Sequence, residues 1–247
     1  MKKAYLYSPE YSKFDYGPTH PLKVVRLELS HRLIQAYDLL RLPDVEAIEA
    51  TNARKEDLLS FHSEAYLEVL SIANAGRHPV NAHIYGLGYG DNPIFAGLLD
   101  WSYLITGASL QCADLLCTGK ADITVNLAGG LHHALEERAS GFCYVNDPVI
   151  AIKRLLDRGK RVVYIDIDAH HGDGVQRAFY DSNKVLTISL HQDGRSLFPG
   201  TGFSHEIGDG VGRGYSVNIP LYPESDDEIF IWSFEEIVPP MVKAFKP

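Results

Sequence analysis

The residues that could do chemistry are concentrated in residues 166–174, which read Asp-Ile-Asp-Ala-His-His-Gly-Asp-Gly and directly follow the apolar run 162–165. Such a run predicts a buried parallel strand, and open α/β sheets place their active sites at the carboxyl ends of their strands. Asp166, Asp168 and His170 alternate along an extended chain, so we expect them to point the same way. Carboxylate oxygen and imidazole nitrogen both suit a divalent metal such as zinc, so the stretch predicts a metal site.

A structural role is the alternative for this stretch. One Asp at a strand end is usually a turn or capping residue, and a lone His is usually a hydrogen-bonded polar group. Three Asp and two His within nine residues, beside Gly172 and Gly174, are more than capping requires. Burying several charges is costly unless they pair or bind a metal, which favours the functional interpretation.

Residues 122–133 form a second constellation, in which a short apolar run precedes Gly129-Gly130 and the adjacent His132 and His133. Neighbouring histidines can act as general base and electrostatic partner where carboxylates orient them. By itself a His pair is more often loop polarity. Together with residues 166–174 it favours catalysis.

Four motifs resemble those of the zinc-dependent histone deacetylase family, within it the class I-type members and the prokaryotic acetoin-utilisation proteins. They are GGLHH at 129–133, ASGFCYVND at 139–147, DIDAHHGDG at 166–174 and LFPGTG at 197–202, and the resemblance extends over residues 5–247. It implies the arginase–deacetylase α/β fold and hydrolysis of an acetyl-lysine-type amide.

The resemblance also implies two metal sites. Asp168 and His170 correspond to two of the family's three zinc ligands, with iron as the alternative metal in cells. A structural potassium site is implied at Asp166 and Ser189, together with the backbone carbonyls of Asp168, His170 and Leu190.

Catalytic roles follow from the same resemblance. His132 and His133 correspond to the tandem histidines that serve as general acid and base. Asp166 corresponds to the carboxylate behind the first histidine and Asp173 to the one behind the second. Such a partner fixes the tautomer of a histidine and raises its basicity.

Five residues are assigned to substrate binding in the same way. Phe142 and Phe198 would form the walls of a narrow tunnel for the lysine stem, in which Gly141 leaves room. Asp91 stands where the family has a rim carboxylate that binds the substrate backbone, and Arg26 matches an arginine of an inner acetate-release channel. For either Phe considered alone, core packing is the simpler explanation.

The chain departs from the family pattern in two ways. Leu131 stands where many eukaryotic members have Trp, and neither Gly-Ala-Asp nor Gly-Gly-Gly-Tyr occurs in the sequence. These two motifs carry the third zinc ligand and the oxyanion tyrosine, and they would lie after residue 247. Since an oxyanion donor contributes about 10²–10³ in rate, we expect these 247 residues alone to be nearly inactive. We also expect C-terminal strands to be missing, with a longer chain or an oligomer covering the exposed sheet edge.

The composition limits which functions and which cellular compartment the sequence can indicate. A net charge of −9 argues against general binding to nucleic acid or anionic membranes. Three cysteines without a CxxC motif indicate a reducing compartment, and the first residues lack an apolar stretch of signal-peptide length, so the sequence predicts a cytoplasmic protein. The apolar stretch at about 96–117 contains Asp100 and Asp114, which favours a core helix over a membrane span.

The order of elements predicts an α/β protein with three layers, a mostly parallel sheet with helices on both faces, folded as one domain over residues 1–247. Strands are expected at about 3–7, 161–167, 185–190 and 215–219. Helices are expected at about 22–40, 63–75 and 96–117, from Asp147 to Gly159, and from Ser225 onward with an interruption at Pro239-Pro240.

Three functions remain open on this reasoning. The first is a zinc-dependent deacetylase acting on acetylated lysine in a protein, and the second is the same chemistry on an acetylpolyamine or another small acetylated amine. The third is a catalytically incomplete module that binds acyl-lysine without cleaving it. Binuclear arginase-like chemistry is weaker, because the sequence offers one metal cluster rather than two.

Overall fold

The structure is a computed structural model that describes residues 1–88 and 90–247. The chain forms two compact units, Met1–Arg154 and Leu155–Pro247. The expectation of one domain over the whole chain stays a prediction.

The first unit contains a parallel three-stranded sheet with strand order β2-β1-β3. Its strands are β1 (Lys3–Tyr7), β2 (Val45–Glu49) and β3 (Ile123–Asn126). In the central strand β1, Ala4, Tyr5 and Leu6 are all buried, as expected where both faces of a parallel sheet are covered. The edge strand β2 was not predicted, since its Val-Glu-Ala-Ile-Glu sequence is short, half polar and largely exposed.

Helices surround this sheet and supply most of its core. They are α1 (Val25–Ala36), α2 (Lys55–Leu58), α3 (Glu64–Asn74), α4 (Leu98–Cys117) and α5 (Asp147–Asp157), with short 3-10 turns at Pro9–Lys13, Leu39–Arg41 and Ala82–Tyr85. The core helix α4 packs Leu98, Trp101 and Ile105 into the main hydrophobic cluster. At Gly107 an added Cβ would lie 1.8 Å from the Thr51 carbonyl oxygen, so glycine allows the backbone to pack this closely against α4.

The second unit contains a parallel sheet with strand order β4-β5-β6. Its elements are β4 (Val162–Asp166), α6 (Asp173–Ala178), β5 (Val185–Gln192), a 3-10 turn at Gly210–Gly212, β6 (Ser216–Leu221) and α7 (Asp227–Phe245). The central strand β5 is buried along nearly its whole length, and its Leu186 and Ile188 share a core with Val238 of α7.

Every strand pairing is parallel, which confirms the predicted α/β class with parallel sheets and helices. The predicted interruption of the last helix is wrong, because α7 continues through Pro239 and Pro240. Each Pro lacks an N–H and its ring crowds the carbonyl four residues earlier, but Val238 and Phe245 on either side pack into the core and favour a continuous helix. No described helix is long and apolar enough to cross a membrane.

Helix α1 forms within the range of about 22–40 that its apolar spacing predicts, but the regularly spaced apolar side chains do not lie on its buried face. Leu29, Leu33 and Tyr37 are exposed, whereas Leu27 is buried with 2% of its surface accessible. Periodicity therefore located the helix without identifying the face that packs against the sheet.

This orientation predicts unequal effects for two identical substitutions in α1. Leu27→Ala should lower the free energy of unfolding of the 247-residue polypeptide by about 2–5 kcal/mol, because it opens a cavity in the core. Leu33→Ala, at a position that is 58% exposed, should change it by at most about 0.5 kcal/mol. Urea unfolding of the two variants measures both, and equal losses would show that α1 is oriented otherwise.

Candidate active site

Two of the predicted metal ligands, Asp168 and His170, lie just after the carboxyl end of β4. The Asp168 carboxylate oxygen Oδ1 accepts a hydrogen bond from the His170 backbone N–H at 2.7 Å and lies 2.9 Å from His170 Nδ1. β4 ends at Asp166, so the alternation expected of an extended chain stops there, and hydrogen bonds within the following turn bring Asp168 and His170 together. Both side chains are accessible, at 53% and 40%.

This pair fits two positions of a zinc site. Ligands about 2.0–2.1 Å from a tetrahedral zinc lie about 3.3 Å from one another, close to the separation of the two donor atoms here. Among the residues that the structure describes, no group of three or more His, Cys, Asp or Glu side chains has the geometry to hold a metal. The second unit thus supplies one carboxylate and one imidazole to such a site.

Asp166 and Ser189 are direct register partners across β4 and β5, and both are buried. Asp166 Oδ2 accepts a hydrogen bond from the Tyr164 hydroxyl at 2.7 Å, and Ser189 Oγ lies 2.8 Å from His191 Nδ1. His191 Nε2 faces the Gly202 carbonyl at 2.9 Å and must donate to it, so Nδ1 is the acceptor and the Ser189 hydroxyl donates. The Ser189 oxygen lone pairs stay available for a hard cation.

The loop 197–202, which carries Phe198, is fastened to this stretch by buried groups. Thr201 Oγ1 lies 2.8 Å from His171 Nδ1, and the Glu206 carboxylate accepts hydrogen bonds from the backbone N–H groups of Gly202 and Phe203, each at 3.0 Å. At Gly202, with φ of +84°, an added Cβ would come within 2.3 Å of His191 Nε2. The loop places the Phe198 ring edge-on to the His170 ring, with centroids 6.1 Å apart.

Burial keeps both histidines of this network neutral. It lowers the pKa of His171 to about 4, an effect increased by the neighbouring His191, whose own pKa burial also lowers. No role for His191 could be predicted from the sequence, because its partner Gly202 lies eleven positions away. His171 and Thr201 both lie in motifs found in the sequence, but the motifs do not show that the two side chains pair.

The histidine pair lies in the first unit, in the loop that follows β3. His132 and His133 are both buried, with ring centroids 4.0 Å apart and planes inclined by 51°. The preceding Gly130 adopts φ of +92°, a left-handed conformation that favours glycine.

The Asp147 carboxylate fixes the start of this loop. Its Oδ1 accepts hydrogen bonds from the N–H groups of Gly130 at 3.1 Å and Leu131 at 2.9 Å, and its Oδ2 accepts one from Ser109 Oγ. At Gly129 an added Cβ would lie 2.4 Å from Asp147 Oδ2, so the loop can approach this carboxylate only with glycine there. Burial raises the pKa of Asp147, and these hydrogen bonds oppose the effect.

Asn146 fixes the end of the same loop. Its side-chain Nδ2 donates to the carbonyl oxygens of His132 at 3.1 Å and Ala134 at 2.9 Å. Its Oδ1 accepts a hydrogen bond from the N–H of Val149, so Asn146 caps the start of α5. The Asp147 side chain instead faces the histidine loop.

His62 in turn supports Asn146. Its Nε2 accepts the Asn146 backbone N–H at 3.0 Å, and its Nδ1 must donate to the Glu136 carbonyl at 3.1 Å. Burial is the main reason that its pKa falls to about 4. Sequence patterns carried no signal for His62, which lies 84 positions from Asn146.

The remaining proposed substrate residues also lie in the first unit. Gly141 and Phe142 both have positive φ, 49° and 73°, and the Phe142 carbonyl accepts a hydrogen bond from the Tyr16 hydroxyl at 3.0 Å. Asp91 is exposed, and its backbone carbonyl oxygen lies 3.0 Å from His20 Nε2. Arg26 lies in the first turn of α1, near enough to Tyr16 for the two to influence each other's pKa.

The structure therefore brings together several of the residues predicted from the sequence, unit by unit. The first unit groups His132 with His133. The second groups Asp168 and His170 with Phe198, and Asp166 with Ser189.

In each unit, histidines and carboxylates follow the carboxyl ends of parallel strands, which is where α/β enzymes place their active sites. Residues 20–247 match the histone deacetylase domain, and the chain belongs to that family.

Individual relatives agree with this assignment. The chain is 39% identical to acetoin utilization protein AcuC of Bacillus subtilis, over 98% of this chain and 63% of that protein. It is 41% identical to human histone deacetylase 1, over 100% of this chain and 51% of that protein. A crystal structure of an HDAC homolog from Aquifex aeolicus matches with a TM-score of 0.90 and 38% identity, covering 99% of this chain and 65% of the other. The chain thus spans about half to two thirds of the length of these relatives.

The buried neutral His62 predicts a loss of stability in acid. Its pKa is about 4 when folded against about 6.5 when unfolded, so the unfolded chain binds the extra proton between these values. The contribution of His62 to the free energy of unfolding is present above pH 6.5 and should fall by about 2–3 kcal/mol as the pH drops to 4.

Urea unfolding of the wild type and of His62→Gln at pH 7.5, 5.5 and 4 measures this contribution. Gln can accept or donate a hydrogen bond but does not titrate, so the variant should lose less stability over this interval than the wild type does. Identical pH dependence of the two proteins would show that His62 is not buried as a neutral group.

Proposed function

We propose that this chain forms part of a zinc-dependent hydrolase that removes acetyl groups from acetyl-lysine side chains. The observation that carries the proposal is the pair Asp168 Oδ1 and His170 Nδ1, 2.9 Å apart after β4, in a chain of the histone deacetylase family. Their accessibility leaves room for further ligands and for substrate.

Asp168 and His170 would hold the zinc, with iron as the alternative metal. When bound, zinc would supply a Lewis acid that lowers the pKa of a water molecule to about 7 and polarises the amide carbonyl. Potassium is proposed at Asp166, Ser189 and Leu190, where the two buried side-chain oxygens of register partners offer hard ligands.

His132 and His133 are proposed as the general acid and base. One removes a proton from the attacking water and one protonates the leaving amine, which requires histidines shielded from bulk water and held in fixed positions. Burial of both rings supports this role, as do the hydrogen bonds that Asn146 donates to their loop and those that Asp147 accepts from it. Asp166 and Asp173 are proposed as the carboxylates that orient them.

Five residues are proposed to bind the substrate. Phe142 and Phe198 would enclose the apolar lysine stem, and Gly141 would keep the passage open. Asp91 would accept hydrogen bonds from the substrate backbone at the rim, and Arg26 would bind the acetate product. The exposure of Asp91 and the partial exposure of Phe198 support a position at the entrance.

The proposed substrate is an acetylated lysine in a cytoplasmic protein. A small acetylated amine such as an acetylpolyamine is the second candidate, because its amide could undergo the same metal-assisted hydrolysis.

Metal binding gives the first test of the proposal. His170→Ala should weaken the affinity of the polypeptide for zinc at least about tenfold, since it removes one of the proposed ligands. His205→Ala is the matched control, because His205 is exposed and lies outside the cluster. Titration against a competing chelator measures both, and equal affinities in the two variants would contradict the assignment.

Hydrolysis distinguishes the candidate functions. With zinc supplied, an acetyl-lysine reporter peptide and an N-acetylpolyamine are compared as substrates of the 247-residue polypeptide and of a longer chain made by adding the C-terminal segment of a relative after residue 247. We expect peptide hydrolysis by the longer chain, with His133→Ala lowering its kcat/KM about 10²–10⁴-fold. We expect far slower turnover by the 247 residues, which contain no Gly-Ala-Asp or Gly-Gly-Gly-Tyr motif.

Other outcomes would change the assignment. Turnover of the acetylpolyamine alone would identify the second candidate. Peptide binding without turnover in either chain would indicate an acyl-lysine-binding module.

A further inference from the structure

His20 is a buried histidine to which the proposed chemistry gives no task. It has 7% of its surface accessible, and both of its ring nitrogens are hydrogen-bonded to backbone. Nδ1 accepts the N–H of Leu22 at 3.1 Å, and Nε2 lies 3.0 Å from the backbone carbonyl oxygen of Asp91. Since a carbonyl can only accept, Nε2 carries the proton, and the geometry selects the neutral Nε2–H tautomer.

The same imidazole packs against the proposed tunnel wall. Its ring meets the Phe142 ring edge-on, with centroids 4.6 Å apart and planes inclined by 71°, and the Tyr16 ring lies 4.8 Å away. Tyr16 donates its hydroxyl to the Phe142 carbonyl and accepts a hydrogen bond from Trp101 Nε1 at 3.2 Å. Phe142 has φ of 73°, which is costly for an aromatic residue and persists only where its surroundings hold it.

Two further hydrogen bonds join the rim segment 91–93 to the wall segment 142–144. Asn92 Nδ2 donates to the Cys143 carbonyl at 3.3 Å, and the Tyr144 hydroxyl donates to the Pro93 carbonyl. These two hydrogen bonds hold Asn92 and Pro93, the residues after Asp91. The backbone of Asp91 itself is held by the hydrogen bond from His20.

We propose that His20 is a positioning residue that fixes the Asp91 carboxylate relative to the Phe142 ring, and thereby sets the preference for an acyl-lysine within a peptide. This inference rests on the proposed function. An acyl-lysine in a peptide presents backbone N–H groups at the rim as well as a stem in the tunnel. A free acylated alkylamine presents only the stem, so a displaced Asp91 weakens peptide binding selectively.

Two substitutions separate the effect of the His20 hydrogen bonds from the effect of its ring packing. His20→Gln places an amide N–H at a reach similar to Nε2 and can still donate to the Asp91 carbonyl. His20→Phe keeps an aromatic ring against Phe142 and loses both hydrogen bonds. Asp91→Ala, at an exposed position, removes the rim carboxylate itself without a change in the core.

The first measurement needs neither metal nor substrate. Hydrogen–deuterium exchange of the Gly88 backbone amide, which donates to the Asn92 carbonyl at 2.8 Å, should be at least about tenfold faster in His20→Phe than in the wild type, and near the wild-type rate in His20→Gln. A circular-dichroism melt shows whether each variant folds. If His20→Phe does not fold, wild-type-like exchange in His20→Asn, which has no donor that reaches Asp91, would contradict the proposal.

The second measurement compares zinc-supplemented binding of an acetyl-lysine peptide with that of N-acetylbutylamine. His20→Phe should weaken peptide binding about tenfold and leave amine binding unchanged, which corresponds to the loss of about one hydrogen bond. Asp91→Ala should have the same effect, and the double variant should be no weaker than Asp91→Ala alone.

Failure of the inference and failure of the proposed function give different results. Wild-type protein that binds neither ligand would contradict the proposed function, and with it the peptide preference assigned to His20. Wild-type binding of both ligands, with unchanged exchange or an equal loss for peptide and amine in His20→Phe, would contradict the role of His20 alone. Additive losses in the double variant would also contradict it.

Discussion

The structure depends on one constraint, which is that polar groups gathered at the carboxyl ends of parallel strands must keep their hydrogen bonds when they are buried. An unpartnered buried donor or acceptor costs about 1–3 kcal/mol. The loop after β3 and the turn after β4 both bring histidines and carboxylates to such positions. Many of the surrounding residues supply the hydrogen-bond partners that these buried groups require.

Each unit meets this constraint with its own network. In the first unit Asp147 accepts from the N–H groups at the start of the histidine loop, and Asn146 donates to the carbonyls at its end. In the second unit His171 and His191 hold the loop 197–202 from two sides. The first network uses a carboxylate and an amide, and the second uses two imidazoles that burial keeps neutral.

The sequence predicted those features that depend on local patterns. β1 forms at the predicted residues, β4 and β5 lie within one or two residues of theirs, and residues 166–174 place Asp168 next to His170 as expected of a metal site. Long-range partners could not be predicted in this way. His62 supports Asn146 from 84 positions away, and nothing in its neighbourhood indicates that it does so.

Two predictions about helices were wrong for the same reason, which is that contacts between residues distant in sequence decide the outcome. The apolar spacing of α1 shows that a helix forms, but which face is buried depends on what the fold places beside it, so Leu33 is exposed and Leu27 is not. In α7 the local cost of Pro239 and Pro240 was overestimated, because the core contacts of Val238 and Phe245 are made between residues distant in sequence. Roles that the sequence assigned through family resemblance remain proposals wherever they join the two units.

The division between exposed and buried residues explains how such a site can be both accessible and well ordered. Asp168, His170 and Phe198, which are proposed to touch zinc or substrate, are open to solvent, whereas His171 and His191, which hold the neighbouring loop, are almost fully buried. A buried partner has few alternative conformations, so the entropy of ordering is lost during folding rather than during binding. The histidine pair is the exception, since its rings are buried as well. General acid–base catalysis accounts for this difference, because proton transfer requires rings that are fixed in position and shielded from bulk water.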